Sequence, residues 1–397
     1  MLLGRITNYL KILVRKGAIA VYLEPWHKDI MDFLDLKKNS GEERRRTHDL
    51  FPALWISDLF MERVKNNETW TLFDPYDVPF LSESDNEYFN KYYTEYEKTI
   101  PDDKKIVLNA KDIWKKVLTE YFETGNPFLT FKDTANRANP NHHVGRIRSS
   151  NLCTEIFQNS SPNGNLVKIY TNEGNDFVYV TEDEIVELED GTTKLGKKVT
   201  SLDSLKNNVY CGVNGRRFNT PELTKVYCVE KEKVDGETAV CNLASINLSK
   251  INKKEDIERV TKVAVRMLDN VIELNFYPLK KVKDTNTFTR GIGLGVMGEA
   301  EFLAVNKIMY GSQEHLYTID TIMETISYNA IKASSELGKE KGNYPAFLGS
   351  NWNNGILPHD FTNDEVKKLV DFNYKAYSKE EWNVLRELVS EHMRNGY

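Results

Sequence analysis

Gly17-Ala-Ile-Ala-Val-Tyr-Leu23 is an apolar run of strand length, closed by Glu24-Pro25 and followed by a short helical pattern from His27 to Leu36. A buried strand handing over to a helix is the unit of an α/β fold. The alternation recurs outward from it. Lys37–His48 is a charged, solvated connection, and Leu50–Val64 is apolar nearly all round, so it should pack between other elements. Trp70–Phe73 reads as a short strand. Tyr88–Tyr96 and Ala110–Glu123 read as helices, the second stopping at Gly125, and Pro127–Phe131 as another short strand.

The middle of the chain changes character. From Gln158 to about Gly236, β-type runs such as Phe177–Val180, Glu184–Leu188 and Val226–Val229 alternate with turns, and Asp190-Gly191 is a hairpin signal. The α/β pattern then resumes. Glu237–Leu248 reads as a strand entering a core around Cys241. Glu255–Asn275 is a long amphipathic helix with Val260, Val263, Val265, Leu268, Val271 and Ile272 on its apolar side. Arg290–Met297 is a glycine-rich strand or turn, Ile319–Lys339 a long helix ending near Gly342, and Trp382–Met393 a last helix. The expected organisation is an α/β first part over 1–157, a β-rich insertion over 158–236 and an α/β second part over 237–397.

The chain has 397 residues, enough for a large core, with 40% hydrophobic and 28% charged residues. A net charge of -6 carries no general nucleic-acid footprint, so no direct nucleic-acid partner is expected. No stretch reaches the roughly 20 apolar residues that span a bilayer, so no membrane is expected. Met1–Lys16 is basic and mildly apolar, without the apolar length and cleavage site of a signal peptide. Its single threonine and lack of serine give little to a mitochondrial presequence. Cys153, Cys211, Cys228 and Cys241 show no CxxC spacing, which fits a reducing compartment with one or two working thiols or buried, inert ones.

Ser149-Ser-Asn-Leu-Cys-Thr-Glu155 carries the chemistry. In an extended loop its alternate residues point the same way, so Asn151, Cys153 and Glu155 would share one face. That face would present a hydrogen-bond donor, a sulfur nucleophile or radical site, and a base. Cys241 could supply half of a dithiol that gives two electrons and ends as a disulfide. The plain alternative is a polar loop. Gly293-Leu-Gly295-Val-Met-Gly298 matches GxGxxG, but a helical sequence follows it and no clear second strand, so close packing explains the glycines better than a dinucleotide. His142-His143 lacks zinc-site spacing relative to Cys153 and reads as solvated loop, with no metal expected. Arg44-Arg-Arg46 follows Glu42-Glu43 in a mixed-charge loop.

The chain resembles the large, catalytic alpha subunit of class I ribonucleotide reductase, of the eukaryotic and large-DNA-virus type. The resemblance rests on Gly17–His27, Asp32–Asn39, Asp49–Phe51 with Ala53–Ile56, Ser150–Ile156, Ala239–Ser245, Gly291–Gly298 and Gly355–Leu357, in order. It covers nearly all of 17–157 and 237–395. It implies a fold, a ten-stranded α/β barrel with the radical cysteine on a loop inside it, present here in part. It implies thiyl-radical reduction of ribonucleoside diphosphates to 2′-deoxyribonucleoside diphosphates. Cys153 would abstract the ribose 3′-hydrogen, Glu155 would be the base for the 3′-hydroxyl, Asn151 would hydrogen-bond the same region, and Cys241 would belong to the redox pair. The resemblance also implies a small, radical-generating subunit with a diiron-tyrosyl radical, thioredoxin or glutaredoxin, dNTP and ATP effectors, and a cytoplasmic location (host cytoplasm if viral).

Departures from the family pattern are equally specific. The family's N-terminal regulatory helical cone and first barrel strands have no counterpart, and with them go the redox partner of Cys241 and most of the nucleotide specificity site. Arg15-Lys16-Gly17 resembles only the end of the specificity loop. The phosphate-binding segment, the tyrosine pair of the radical path and the C-terminal shuttle cysteines are also without counterpart, and 158–236 replaces a short connection. The expectation is a reductase piece that works with complementary large-subunit fragments and is inactive alone. The alternatives are an inactive truncated product and a non-catalytic binding or structural remnant.

Overall fold

The computed structural model describes residues 17–161, 236–251, 253–361 and 375–397, and the backbone of seven strands between 164 and 234. Two compact units emerge, one made of Met1–Arg137 with Ile147–Phe157, the other of Ala138–Arg146 with Gln158–Tyr397.

The first unit runs β1 (Ile19–Leu23), α1 (Ile30–Leu34), β2 (Leu50–Ile56), α2 (Asp58–Asn66), β3 (Thr69–Leu72), α3 (Asn86–Thr99), β4 (Ile106–Asn109), α4 (Ala110–Thr124), β5 (Phe128–Phe131) and α5 (Lys132–Arg137). Strands β1, β2 and β5 form a parallel sheet with β2 in the middle, and β3 pairs antiparallel with β4. The apolar Leu50–Val64 segment therefore packs between other elements, but as a strand and then a helix. Ser57 divides it, accepting the Phe60 amide as N-cap of α2. Strand β1 is half-buried rather than fully buried.

Alternation gives the parallel sheet two faces. Val21, Leu23, Leu54, Ile56 and Leu129 turn toward a core with Phe60, Trp70 and Tyr93. The Trp70 and Tyr93 rings stack at 4.2 Å. The Tyr93 hydroxyl accepts from the Thr71 amide at 2.6 Å and donates to the Thr71 carbonyl at 2.9 Å, so β3 is tied to α3. On the other face, Tyr22 meets Trp55 edge-on and Phe51 stacks on Phe128, both at 6.2 Å between centroids.

Two buried charges organise this unit. Asp133 accepts the first amides of two helices, Asp58 N of α2 at 2.7 Å and Asn86 N of α3 at 2.6 Å. A carboxylate serves there because helix N-termini present unpaired N–H groups and partial positive charge. Burial nevertheless pushes the Asp133 carboxyl up, outweighing those two bonds. Lys132 reaches Glu24 at 2.5 Å and lies 4.2 Å from the Phe89 ring centroid.

Between the α/β portions, the described backbone of the second unit is strands: β6 (Gly164–Tyr170), β7 (Phe177–Thr181), β8 (Ile185–Glu187), β9 (Thr193–Leu195), β10 (Val209–Cys211), β11 (Arg217–Asn219) and β12 (Cys228–Val234). Strands β8 and β9 pair antiparallel on either side of Asp190-Gly191, which itself lies outside the described residues.

The second unit continues with β13 (Leu243–Asn247), α6 (Lys254–Leu274), α7 (Lys280–Thr289), β14 (Gly293–Met297), α8 (Glu299–Val305), α9 (Gln313–Lys341) and α10 (Lys379–Glu391). Strands β13 and β14 are parallel, with Leu243 opposite Gly293 and Asn247 opposite Met297. Helix α6 buries Ile257, Thr261, Val265, Leu268 and Ile272 at four- and three-residue steps. Val263 and Val271 fall off that ladder and are 49% and 45% exposed, so the expected apolar side is shifted. A capping box of Ser378 and Glu381 starts α10.

The α/β class stands. A closed ten-stranded barrel is not seen: the parallel strands among the described residues form one three-stranded sheet and one pair, neither closed.

Candidate active site

The segment around Cys153 is a turn, not an extended strand. The Thr154 amide donates to the Asn151 carbonyl at 3.2 Å. Asn151 Oδ1 accepts from the amides of Glu155 at 3.0 Å and Ile156 at 3.1 Å, and Ser150 Oγ donates to the Ile156 carbonyl at 2.6 Å. Thr154 sits at φ +65°, in the left-handed region. The expected alternation of Asn151, Cys153 and Glu155 on one extended face is therefore overturned. An asparagine side chain competes for local backbone amides and bends the chain. What remains is a thiol and a carboxylate, both exposed, on either side of Thr154, with the Asn151 amide oxygen closing the turn between them.

Two aromatic contacts fix this turn to the parallel sheet. The Tyr22 hydroxyl of β1 donates to the Asn151 carbonyl at 3.1 Å. Phe157 stacks on Trp55 of β2 at 6.2 Å. Both come from the sheet face turned away from the core. Just before the turn, Asn136 of α5 brackets Ile147, donating to its carbonyl and accepting its amide, each at 2.9 Å. Beyond β1, Glu24 is held by Trp26 Nε1 at 2.8 Å and Lys132. Burial pushes its carboxyl up despite the opposing Lys132 charge.

Cys241 belongs to the second unit and is also exposed. It lies two residues ahead of β13, not within a strand. The Thr238 amide donates to Thr285 Oγ1 of α7 at 3.0 Å, Asn242 Nδ2 to the Leu268 carbonyl of α6 at 2.8 Å, and the Gly293 amide to the Asn242 carbonyl at 2.9 Å. The cysteine is thus presented from a segment pinned on both sides. Gly17 is exposed just before β1, while Arg15 lies outside the described residues. Cys211 and Cys228 fall on β10 and β12, and their side chains are outside the described set.

The other motifs resolve locally. Gly298, at φ +76°, precedes α8, and a Cβ there would overlap the Asn247 carboxamide, so this glycine serves a turn and a close approach. His143 is half-buried rather than solvated and donates Nε2–H to the Ala346 carbonyl at 2.9 Å. Among the described residues, no group of three or more His, Cys, Asp or Glu is placed to hold a metal ion. Residue-level reading missed Tyr22, Trp55 and Thr154. The placement of Tyr22 opposite Val21 and Leu23 in a strand is the signal that could have found the first.

Residues 4–397 match the family described as ribonucleotide reductase, barrel domain. The chain is 54% identical over 390 residues to ribonucleoside-diphosphate reductase subunit alpha of Helicobacter pylori, covering 96% of this chain and 46% of that one. It is 38% identical over 393 residues to the subunit alpha of Chlamydia trachomatis, covering 95% of this chain and 30% of that one. With the ribonucleoside-diphosphate reductase large chain of Encephalitozoon cuniculi the identity is 33% over 383 residues, covering 95% and 39%. The chain thus spans less than half the length of these relatives. The higher identities among them are bacterial, which does not single out a eukaryotic or viral type.

Proposed function

The chain belongs to the ribonucleotide reductase barrel-domain family, and on that premise we propose that it carries the thiyl-radical centre of a ribonucleoside-diphosphate reductase. The observation that carries this reading is the anchored turn that presents Cys153 and Glu155 one residue apart. The parallel strands β1, β2, β5, β13 and β14 are read as segments of the family's barrel, and 158–236 as an insertion into it.

In this reading the Cys153 thiyl radical takes the ribose 3′-hydrogen atom. Glu155 accepts the 3′-hydroxyl proton and later returns it to the 3′-oxygen, and the 2′-hydroxyl leaves as water with one proton from a dithiol, whose other proton goes to C2′. The dithiol supplies two electrons and ends as a disulfide, and Cys153 then returns its hydrogen to C3′. Cys241 is one member of that dithiol. Its partner thiol is assigned to a complementary large-subunit fragment, and thioredoxin or glutaredoxin restores the pair. Asn151 acts on the same region through the turn it closes. Gly17, and Arg15 before it, are read as the end of the specificity loop.

The radical originates on a separate small subunit, where a diiron-tyrosyl radical cofactor is expected, so no residue of this chain is asked to hold metal. Nucleoside triphosphate effectors are assigned to the complementary fragments, and the assembly to the cytoplasm. No helix among the described residues is long and apolar enough to cross a membrane. Co-expression with fragments supplying the remainder of the subunit, followed by a deoxyribonucleoside diphosphate assay, tests the reading. Product from the assembly supports it, and its absence with all pieces present refutes it.

A further inference from the structure

Thr154 combines two features that each cost free energy. Its φ of +65° places a β-branched residue in the left-handed region. Its Oγ1 is buried with no hydrogen-bond partner among the described residues. The turn takes a positive φ at this position but needs neither a β-branched residue nor a hydroxyl to supply it. Its closing bonds come from Asn151 and Ser150, and glycine takes a positive φ without a Cβ penalty. Both features fall on the residue between Cys153 and Glu155. Strain and unsatisfied groups concentrated there fit a pre-organised site better than a passive loop.

We propose that Thr154 is a positioning residue: its side chain holds the left-handed backbone that sets the Cys153 and Glu155 side chains toward one nucleotide, and its hydroxyl, without a partner among the described residues, takes a hydrogen bond from or to that nucleotide. The proposal rests on the roles given to Cys153 and Glu155 above. Sequence position alone does not raise it, because a threonine between cysteine and glutamate looks like filler.

Three variants test it, in the chain assembled with its complementary fragments and small subunit, and in the free chain. Thr154→Gly accepts the same φ without strain but also populates other conformations, so the melting temperature of the free chain rises while kcat of the assembly falls about tenfold or more because the turn is no longer held in one geometry. Thr154→Val keeps the shape and drops the hydroxyl. Its free chain melts no lower than the parent, yet the assembly binds ribonucleoside diphosphate about tenfold more weakly. Thr154→Ser, which keeps the hydroxyl, restores that binding. Full turnover by Thr154→Gly, a lowered melting temperature for Thr154→Val, or unchanged nucleotide binding by Thr154→Val overturns the proposal. Should Cys153→Ser also turn over, the reductase reading itself fails, and the melting temperatures still report on Thr154 alone.

Discussion

Tyr22 donates its hydroxyl hydrogen bond to the backbone carbonyl of Asn151 at 3.1 Å, across 129 residues of sequence. One end of that bond is in the first parallel strand and the other is in the turn that carries Cys153. The turn is therefore held by the sheet as well as by its own bonds. Tyr22→Phe removes the donor and keeps the ring against Trp55. The expected loss of stability is about 1 kcal/mol by urea unfolding, with faster alkylation of Cys153 by iodoacetamide. An unchanged alkylation rate would mean that the hydroxyl does not hold the turn.

Asn151 closes the same turn from inside. Its Oδ1 takes two backbone amides, those of Glu155 and Ile156. Asn151→Ala leaves both without that acceptor and should cost about 1–2 kcal/mol, as at a lost helix cap. Asn151→Asp keeps an acceptor oxygen and should lose less than half as much. Equal losses in the two variants, read from urea midpoints, would show that the amide oxygen is not what matters.

The contrast between these two residues shows how far the sequence is legible. The residue types at 151, 153 and 155 suggest sulfur and carboxylate chemistry but leave a plain polar loop open, and it is the family resemblance of Ser150–Ile156 that favours the first. Their arrangement does not follow, because period-two alternation holds only while the backbone stays extended, and the Asn151 side chain bends it. Leu50–Val64 fails in the same way: hydrophobicity alone cannot place the switch from strand to helix at Ser57. The helix end at Gly125, which carries its own local signal, reads correctly, whereas the last helix begins at Lys379 behind the Ser378–Glu381 box, ahead of the expected Trp382. Bonds such as Asn141 Nδ2 to the Gly396 carbonyl, 255 residues apart, leave no local trace.

Asp269 is expected to contribute to acid stability in the second unit. It is fully buried, with Arg290 at 2.6 Å, Lys341 at 3.1 Å and Arg394 at 3.3 Å. Burial alone would raise its pKa, but the hydrogen bond and charge of Arg290, followed by Lys341 and Arg394, hold it below the usual carboxylate value. A depressed folded-state pKa contributes stability that is present above the unfolded value of about 3.9 and is lost as pH falls through the folded one. Asp269→Asn should cost about 3–5 kcal/mol at neutral pH by stranding buried cations. It should also flatten the fall in stability below about pH 4. An acid limb unchanged in the variant, followed by circular dichroism against urea, would contradict this assignment.

Glu155→Gln keeps the size and polarity of the side chain and removes the base. In the assembled reductase, kcat should fall about 10²–10⁴-fold while nucleotide binding is retained. A loss of binding with kcat preserved would move Glu155 from proton transfer to recognition.

Cys153 is proposed above as the sulfur that becomes the radical. That role is tested most directly by supplying the chain with its complementary large-subunit fragments, a small subunit and a dithiol, and measuring deoxycytidine diphosphate formed from CDP. The assembly containing Cys153 is expected to form product, and the assembly with Cys153→Ser none. Turnover retained by Cys153→Ser would contradict that role.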